Sequence, residues 1–208
     1  MKLVLATHNA GKVAEFRSAL SPVNIEIISG LDLELEEPEE TGTTFRDNAL
    51  IKAKAAAKSS AVTKAGPGAL SGVMSGALSD DSGLCVDALN GDPGVYSARW
   101  AGADKNFMAA MTKIKDRLFD YKDWTARFVC VICYCDINSQ AHFFEGETKG
   151  RIIWPPRGKG GFGYDPFFEP EEYPGKTFAE LSVQDKQKIS HRGRAIRKFI
   201  DFFNDQRI

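Results

Sequence analysis

The sequence predicts an α/β chain, and three stretches carry that reading. A short apolar strand, Lys2 to Ala6, runs into a polar turn and then a helix with Val13, Phe16 and Leu20 at helical spacing. A long Ala-rich helix is expected from about Phe45 to Lys58. Two strands, Ala126 to Cys135 and Gln140 to Lys149, flank the turn-forming segment Asp136 to Ser139, so they should pair antiparallel. The chain has 208 residues, 43% apolar and 26% charged, which suits one globular domain or two tightly joined lobes with a sizeable core.

The net charge of −1 and pI near 6.3 lack the basic excess of a dedicated nucleic-acid binder, while local Lys and Arg clusters still permit a small anionic ligand. No apolar run approaches the ~20 residues of a membrane span, and the first residues lack a signal-peptide pattern. The expected location is cytoplasmic.

Taken in order, the first turn is Thr7-His8-Asn9-Ala10-Gly11-Lys12. A strand, a polar turn and a helix start present free backbone N–H groups and the positive dipole end to an anion. Asn9 and Lys12 add side-chain donors. The spacing is not a Walker A loop, and the same residues also read as a simply capped helix. A strand at Ile25 to Ile28 and an acidic run, Glu34 to Glu40, come next. Thr44 and Asp47 resemble a capping box that opens the Ala-rich helix. On that helix Phe45, Ala49, Ala53 and Ala56 form the packing stripe, and Asn48 and Lys52 share another face. Lys52 is either an ordinary surface lysine or a second phosphate contact.

Thr63 to Gly76 is rich in Gly, Ala and Ser without periodicity, which reads as a flexible loop or insertion. It leads into Leu78-Ser79-Asp80-Asp81-Ser82-Gly83-Leu84. Successive side chains of an extended chain face opposite ways, so Asp80 and Asp81 should serve different surroundings. At the end of a buried strand such acids suit a hard cation such as Mg²⁺, whereas on the surface they make an Asx turn.

Asn90 to Gly94 is turn chemistry, and a helix from about Lys105 to Phe119 carries the stripe Phe107, Met111, Ile114 and Leu118. Cys130, Cys133 and Cys135 lie in an apolar run, Phe128 to Cys135, that alternates like a strand. Val and Ile between two of them favour buried thiols over a metal knuckle. Gly150 to Pro156 reads as a third strand-like piece. In Gly158 to Pro166, four glycines surround two aromatics and an acid, which suits either close approach to a flat ligand or a hairpin whose rings cap the core. Ser182 and Asp185 form another capping box. The last helical region carries Lys186, Ile189, Ser190-His191-Arg192, and a stripe of Ile196, Phe199, Ile200 and Phe203. His191 is either a satisfied structural histidine or a polar ligand contact.

Six of these motifs in this order closely resemble the inosine and xanthosine triphosphate pyrophosphatase family. They are Thr7-x-Asn9-x-x-Lys12, Glu39-Glu40-Thr41-Gly42, Asp80-Asp81-Ser82-Gly83-Leu84, Pro93 to Arg99, Phe162-Gly163-Tyr164-Asp165-Pro166 and Ser190-His191-Arg192. The resemblance implies an α/β fold of two lobes around a long mixed twisted sheet, with the whole chain, 1–208, as one catalytic domain. It also implies a homodimer and Mg²⁺-dependent release of pyrophosphate from non-standard purine nucleoside triphosphates. By motif, Thr7, His8, Asn9, Ala10, Gly11, Lys12 and Lys52 would hold the triphosphate. Glu39 and Asp81 would bind the metal, with Asp81 also the proton acceptor, and Ser82 would touch substrate. Phe162, Gly163, Tyr164, Asp165, Lys186, His191 and Arg192 would form the base pocket. A nucleotide-binding regulator without catalysis would need the phosphate and base contacts but not the two acids. A phosphatase acting on the terminal phosphate is the rival enzyme class.

Overall fold

The computed structural model describes residues 2–59, 74–136 and 138–205, and among them it holds six β-strands and six α-helices. In chain order these are β1 (Lys2–Leu5), α1 (Ala10–Leu20), β2 (Glu26–Ser29), α2 (Phe45–Lys58), β3 (Met74–Val86) and α3 (Ser97–Trp100). Then follow α4 (Phe107–Arg117), β4 (Thr125–Asp136), β5 (Ala141–Ile152), β6 (Phe168–Pro170), α5 (Val183–Ile189) and α6 (His191–Asp205). The strands form one mixed sheet in the order β2-β1-β3-β4-β5-β6. β1 is parallel to both β2 and β3, and β5 is antiparallel to β6. The Asp136 N–H bonds the Gln140 carbonyl at 3.0 Å, so neighbouring β4 and β5 are joined too tightly for any but an antiparallel pairing. None of the described helices is long and apolar enough to cross a membrane.

The chain divides into two compact units. One comprises Met1–Asp81, Val131–Glu145 and Ala195–Ile208, and the other Ser82–Cys130 and Gly146–Arg194. In the first, Leu3, Val4 and Leu5 are all fully buried, as expected of a parallel strand covered on both faces. α1 buries Val13, Phe16 and Leu20, and α2 buries Asn48, Ala49, Ala53 and Ala56. The small residues let α2 lie close, and Ser79 Oγ on β3 donates to the Ala49 carbonyl at 2.5 Å. Phe199 of α6 packs edge-on against Tyr134 and Phe144.

In the second unit, Leu84, Val86, Met111, Ile114 and Leu118 join Phe128, Phe167, Phe168 and Phe178 in one buried cluster. Phe128 meets the Phe168 ring edge-on at 4.8 Å and stacks on Phe178 at 5.7 Å. Each such buried ring contributes about 1.5–3 kcal/mol of transfer free energy.

Several boundaries differ from those read in sequence. Gly150 to Ile152 do not open a third strand. They complete β5, because β6 supplies ladder partners as far as Ile152. The α4 helix is shorter at both ends than expected, since Asn106 caps it by accepting the Ala109 N–H at 3.0 Å. The last helical region is two helices, because Ser190 takes an extended conformation between α5 and α6. Of the expected insertion, residues 63–73 lie outside the described residues, and Met74 to Gly76 already belong to β3.

Candidate active site

In the first unit β1 ends buried, and the chain turns through Thr7, His8 and Asn9 into α1. Thr7 Oγ1 accepts the Asn9 N–H at 3.2 Å, and Asn9 Oδ1 caps the helix by accepting the Lys12 N–H at 3.1 Å. Ala10 and Gly11 begin the helix, where N–H groups lack intrahelical partners and the dipole favours an anion. The His8 N–H donates at 3.2 Å to Glu37, so a carboxylate oxygen rests on this turn. A cavity of about 530 Å³ beside it is lined in part by Thr7, His8, Glu37 and Lys52.

Asp80 and Asp81 do serve different surroundings. Lys12 Nζ lies 3.1 Å from Oδ1 of Asp80, whose side chain is wholly buried. Lys52 Nζ instead bridges two acids, donating to Glu40 Oε1 at 2.6 Å and to Asp81 Oδ1 at 3.1 Å. Burial alone would lower the Lys52 pKa, but Asp81, Asp80 and Glu40 reverse this and hold it above the usual lysine value. For Asp81 burial is the largest influence and pushes the carboxyl up, while Lys52 and Lys12 offset the rise only in part. The buried amide of Asn48 donates from Nδ2 to Asp81 Oδ2 at 3.3 Å.

Glu39, the acid taken from the family motif as a metal ligand, is exposed, and its neighbour Glu40 is the one that reaches Lys52. In an irregular acidic run no periodicity distinguishes adjacent residues, so the choice between them needed the position of Lys52. Among the described residues no group of three or more His, Cys, Asp or Glu side chains is arranged to hold a metal by itself.

The second unit gathers the remaining candidates. Asp165 Oδ2 accepts the Phe162 N–H and the Lys186 ammonium, both at 2.7 Å, and both charged side chains are buried. Gly161 makes this possible: its φ is +69°, and a Cβ there would fall 2.0 Å from Asp165 Oδ2. Lys186 Nζ lies 4.8 Å from the centroid of the Phe162 ring, and the Arg192 guanidinium lies 5.7 Å from it. Arg192 Nη2 donates to Ser82 Oγ at 2.8 Å. His191 stacks on Phe128 at 4.7 Å and 11°, so its ring is part of the aromatic core. Tyr164 likewise turns inward, its hydroxyl donating to the Ser97 carbonyl at 2.9 Å, and burial pushes the phenol up. Gly163 faces the Phe107 ring.

None of the four cysteines forms a disulfide and all are buried, which agrees with the structural reading of the Cys-x-x-Cys run. Burial pushes the Cys85 thiol up to about 11 and the Cys133 thiol up to about 12.

The model of the Ham1 family matches residues 3–202. This chain belongs to the Ham1 family. It is 45% identical over 200 residues to a protein of Gluconobacter oxydans named dITP/XTP pyrophosphatase, across 96% of this chain and 89% of that one. A protein of the same name from Agrobacterium fabrum is 43% identical over 215 residues, across 96% and 94% of the two chains. Among solved structures, the Ham1 protein of Staphylococcus aureus superposes with a TM-score of 0.81 at 36% identity, covering 99% of this chain and 100% of that one. A HAM1 protein from Coxiella burnetii gives a TM-score of 0.82 at 37% identity, covering 99% of each. In this Ham1 family member the paired acids Glu40 and Asp81 around one lysine, the helix-start turn, and the Asp165–Lys186 pair beside Phe162 are the parts with chemical potential. Sequence reading did not single out Glu40 as the acid that meets Lys52, nor Asn48 as the amide that meets Asp81. The shared helix face of Asn48 and Lys52 was the available signal.

Proposed function

We propose that this chain hydrolyses dITP, XTP and related non-standard purine nucleoside triphosphates to the monophosphate and pyrophosphate, clearing them from the nucleotide pool. The observation that carries the proposal is the Lys52 ammonium held between Glu40 and Asp81, beside the helix-start turn. The family membership and the printed names of the relatives support the choice of substrate.

Two carboxylates that already converge on one cation are hard oxygen donors, the kind Mg²⁺ prefers, so these residues fit that metal. Glu40 and Asp81 would hold it, together with phosphate oxygens and water; Glu39, the acid implied by the family motif, is the adjacent residue and is exposed. When bound, the ion supplies Lewis-acid polarisation of the phosphate oxygens.

The chain's own groups account for the remaining chemistry. Lys12, Lys52 and the N–H groups at the start of α1 hold a triphosphate of about four negative charges. Ionised Asp81 takes a proton from water as the water oxygen bonds to the α-phosphorus. The bond from that phosphorus to the α–β bridging oxygen breaks, and pyrophosphate leaves with the electron pair. Its charge is offset by the lysines, and the proton on Asp81 passes to solvent.

In the second unit, Lys186 and Arg192 are donors suited to the carbonyl that hypoxanthine and xanthine carry at position 6, and Phe162 offers a ring face to any purine. The protein acts as a cytoplasmic homodimer in this reading. The deciding experiment incubates the purified protein with dITP and Mg²⁺ and assays orthophosphate before and after adding inorganic pyrophosphatase. Orthophosphate that appears only after that addition is the expected result. Its direct release, with dIDP left behind, would replace the pyrophosphatase by a terminal phosphatase.

A further inference from the structure

We infer that Asn48 is a positioning residue for this reaction, a single buried amide that sets the plane of the Asp81 carboxylate and the place of the Glu40 segment at once. The inference rests on the pyrophosphatase reading and assigns a role to a residue outside the phosphate, metal and base contacts.

Asn48 has no solvent exposure, so both ends of its amide need partners inside the protein. Nδ2 donates to Asp81 Oδ2 at 3.3 Å, and Oδ1 accepts the Gly42 N–H at 2.8 Å. The chemistry of the partners forces this orientation. A flipped amide would set oxygen against carboxylate oxygen and NH₂ against N–H. Gly42 permits the approach, since a Cβ there would fall 2.6 Å from Asn48 Oδ1.

Gly42 lies two residues beyond Glu40, whose carboxylate meets Lys52 Nζ, and Lys52 meets the other oxygen of Asp81. The contacts therefore close a ring running Asp81, Asn48, Gly42, Glu40, Lys52 and back to Asp81. Asn48 holds one carboxylate oxygen of Asp81 and Lys52 the other, so the plane of the group is fixed from both sides. An asparagine that only tied down a loop would need the Gly42 bond alone. The bond to Asp81 faces the group that takes the proton. Docking of α2 on β3 has a separate tether in the bond from Ser79 to the Ala49 carbonyl, which provides a control in the same pair of elements.

The test compares Asn48→Asp, Asn48→Leu and Ser79→Ala with the wild type. Asn48→Asp keeps the acceptor for Gly42 and replaces the donor to Asp81 by a carboxylate oxygen. It should lower kcat for dITP about 10²-fold, the loss that follows from misplacing a reacting group by about 1 Å. Its KM and its calorimetric affinity for inorganic tripolyphosphate without metal should stay within about threefold of wild type, because the groups holding phosphate are untouched. Ser79→Ala should lower the thermal midpoint and leave kcat and KM in place. If Asn48→Leu fails to fold, Asn48→Asp decides the question. A kcat for Asn48→Asp within about threefold of wild type overturns the inference, as does a parallel loss of kcat and tripolyphosphate affinity. Wild-type protein that releases no pyrophosphate from dITP removes the functional reading itself, and the inference with it. Wild-type release together with a normal Asn48→Asp kcat removes the inference alone.

Discussion

Replacing Asp81 by Asn separates function from stability. The substitution keeps the shape, removes the charge and leaves no acceptor for a proton from water. General-base assistance is worth about 10²–10⁴ in rate, so kcat should fall by at least ~10²-fold. The folded state should hardly notice. Burial raises the Asp81 pKa above its ordinary value even with Lys52 3.1 Å away, so the ionised group is worse off in the protein than in water. Stability from such a group is fully present below the unfolded pKa and is lost as pH rises through the folded one, so at neutral pH the wild type bears this penalty. The Asp81→Asn variant would escape it. Against that, an amide offers one acceptor where the carboxylate met two donors, Lys52 Nζ and Asn48 Nδ2, and an unpaired buried donor costs about 1–3 kcal/mol. The effects oppose each other, and a net of about 1 kcal/mol moves the midpoint of a protein this size by about 2–4 °C. Pyrophosphate release under saturating Mg²⁺ and a thermal melt on the same preparation test both halves. Turnover within tenfold of wild type, or a loss matched by unfolded protein, would falsify the role given to Asp81.

Four further outcomes are expected. Removing Lys186 as Lys186→Met strands the buried Asp165 carboxylate, which should cost about 3–5 kcal/mol in denaturant unfolding, and adding Asp165→Asn should restore much of it. kcat/KM for dITP and XTP should exceed that for dATP by about 10²-fold or more, because adenine would set its own amino donor against Lys186 or Arg192; similar values would end the base-reading argument. Cys85, with its pKa near 11, should be about 10⁻³ thiolate at pH 8, so iodoacetamide should label the folded protein over ~10²-fold more slowly than the unfolded chain. The same shift makes stability fall as pH rises from about 9 through 11, the range in which the unfolded thiol ionises and the buried one does not.

Features that depend on neighbours within a turn or two were legible in the sequence. Asn9 before α1 and Thr44 before α2 are caps visible as such, and both accept the expected N–H. The stripes Val13-Phe16-Leu20 and Met111-Ile114-Leu118 are buried as their spacing requires. Asp80 and Asp81 diverge because a strand alternates. Packing set whatever depends on groups far apart in the chain. Glu40 rather than Glu39 turns inward because Lys52, twelve residues on, lies on that side. Asn48 meets Asp81 across a separation of 33 residues, so within α2 the helix face it shares with Lys52 was the one hint that it is more than a polar residue on a packed helix. β6 is three residues long, too short for any periodicity, and exists because the edge of β5 offers it a ladder. His191 lies within the aromatic core because Phe128, distant in sequence, presents a ring face at stacking distance. Local spacing orients a side chain relative to its own helix or strand, and only the packing of those elements determines which other side chain it meets.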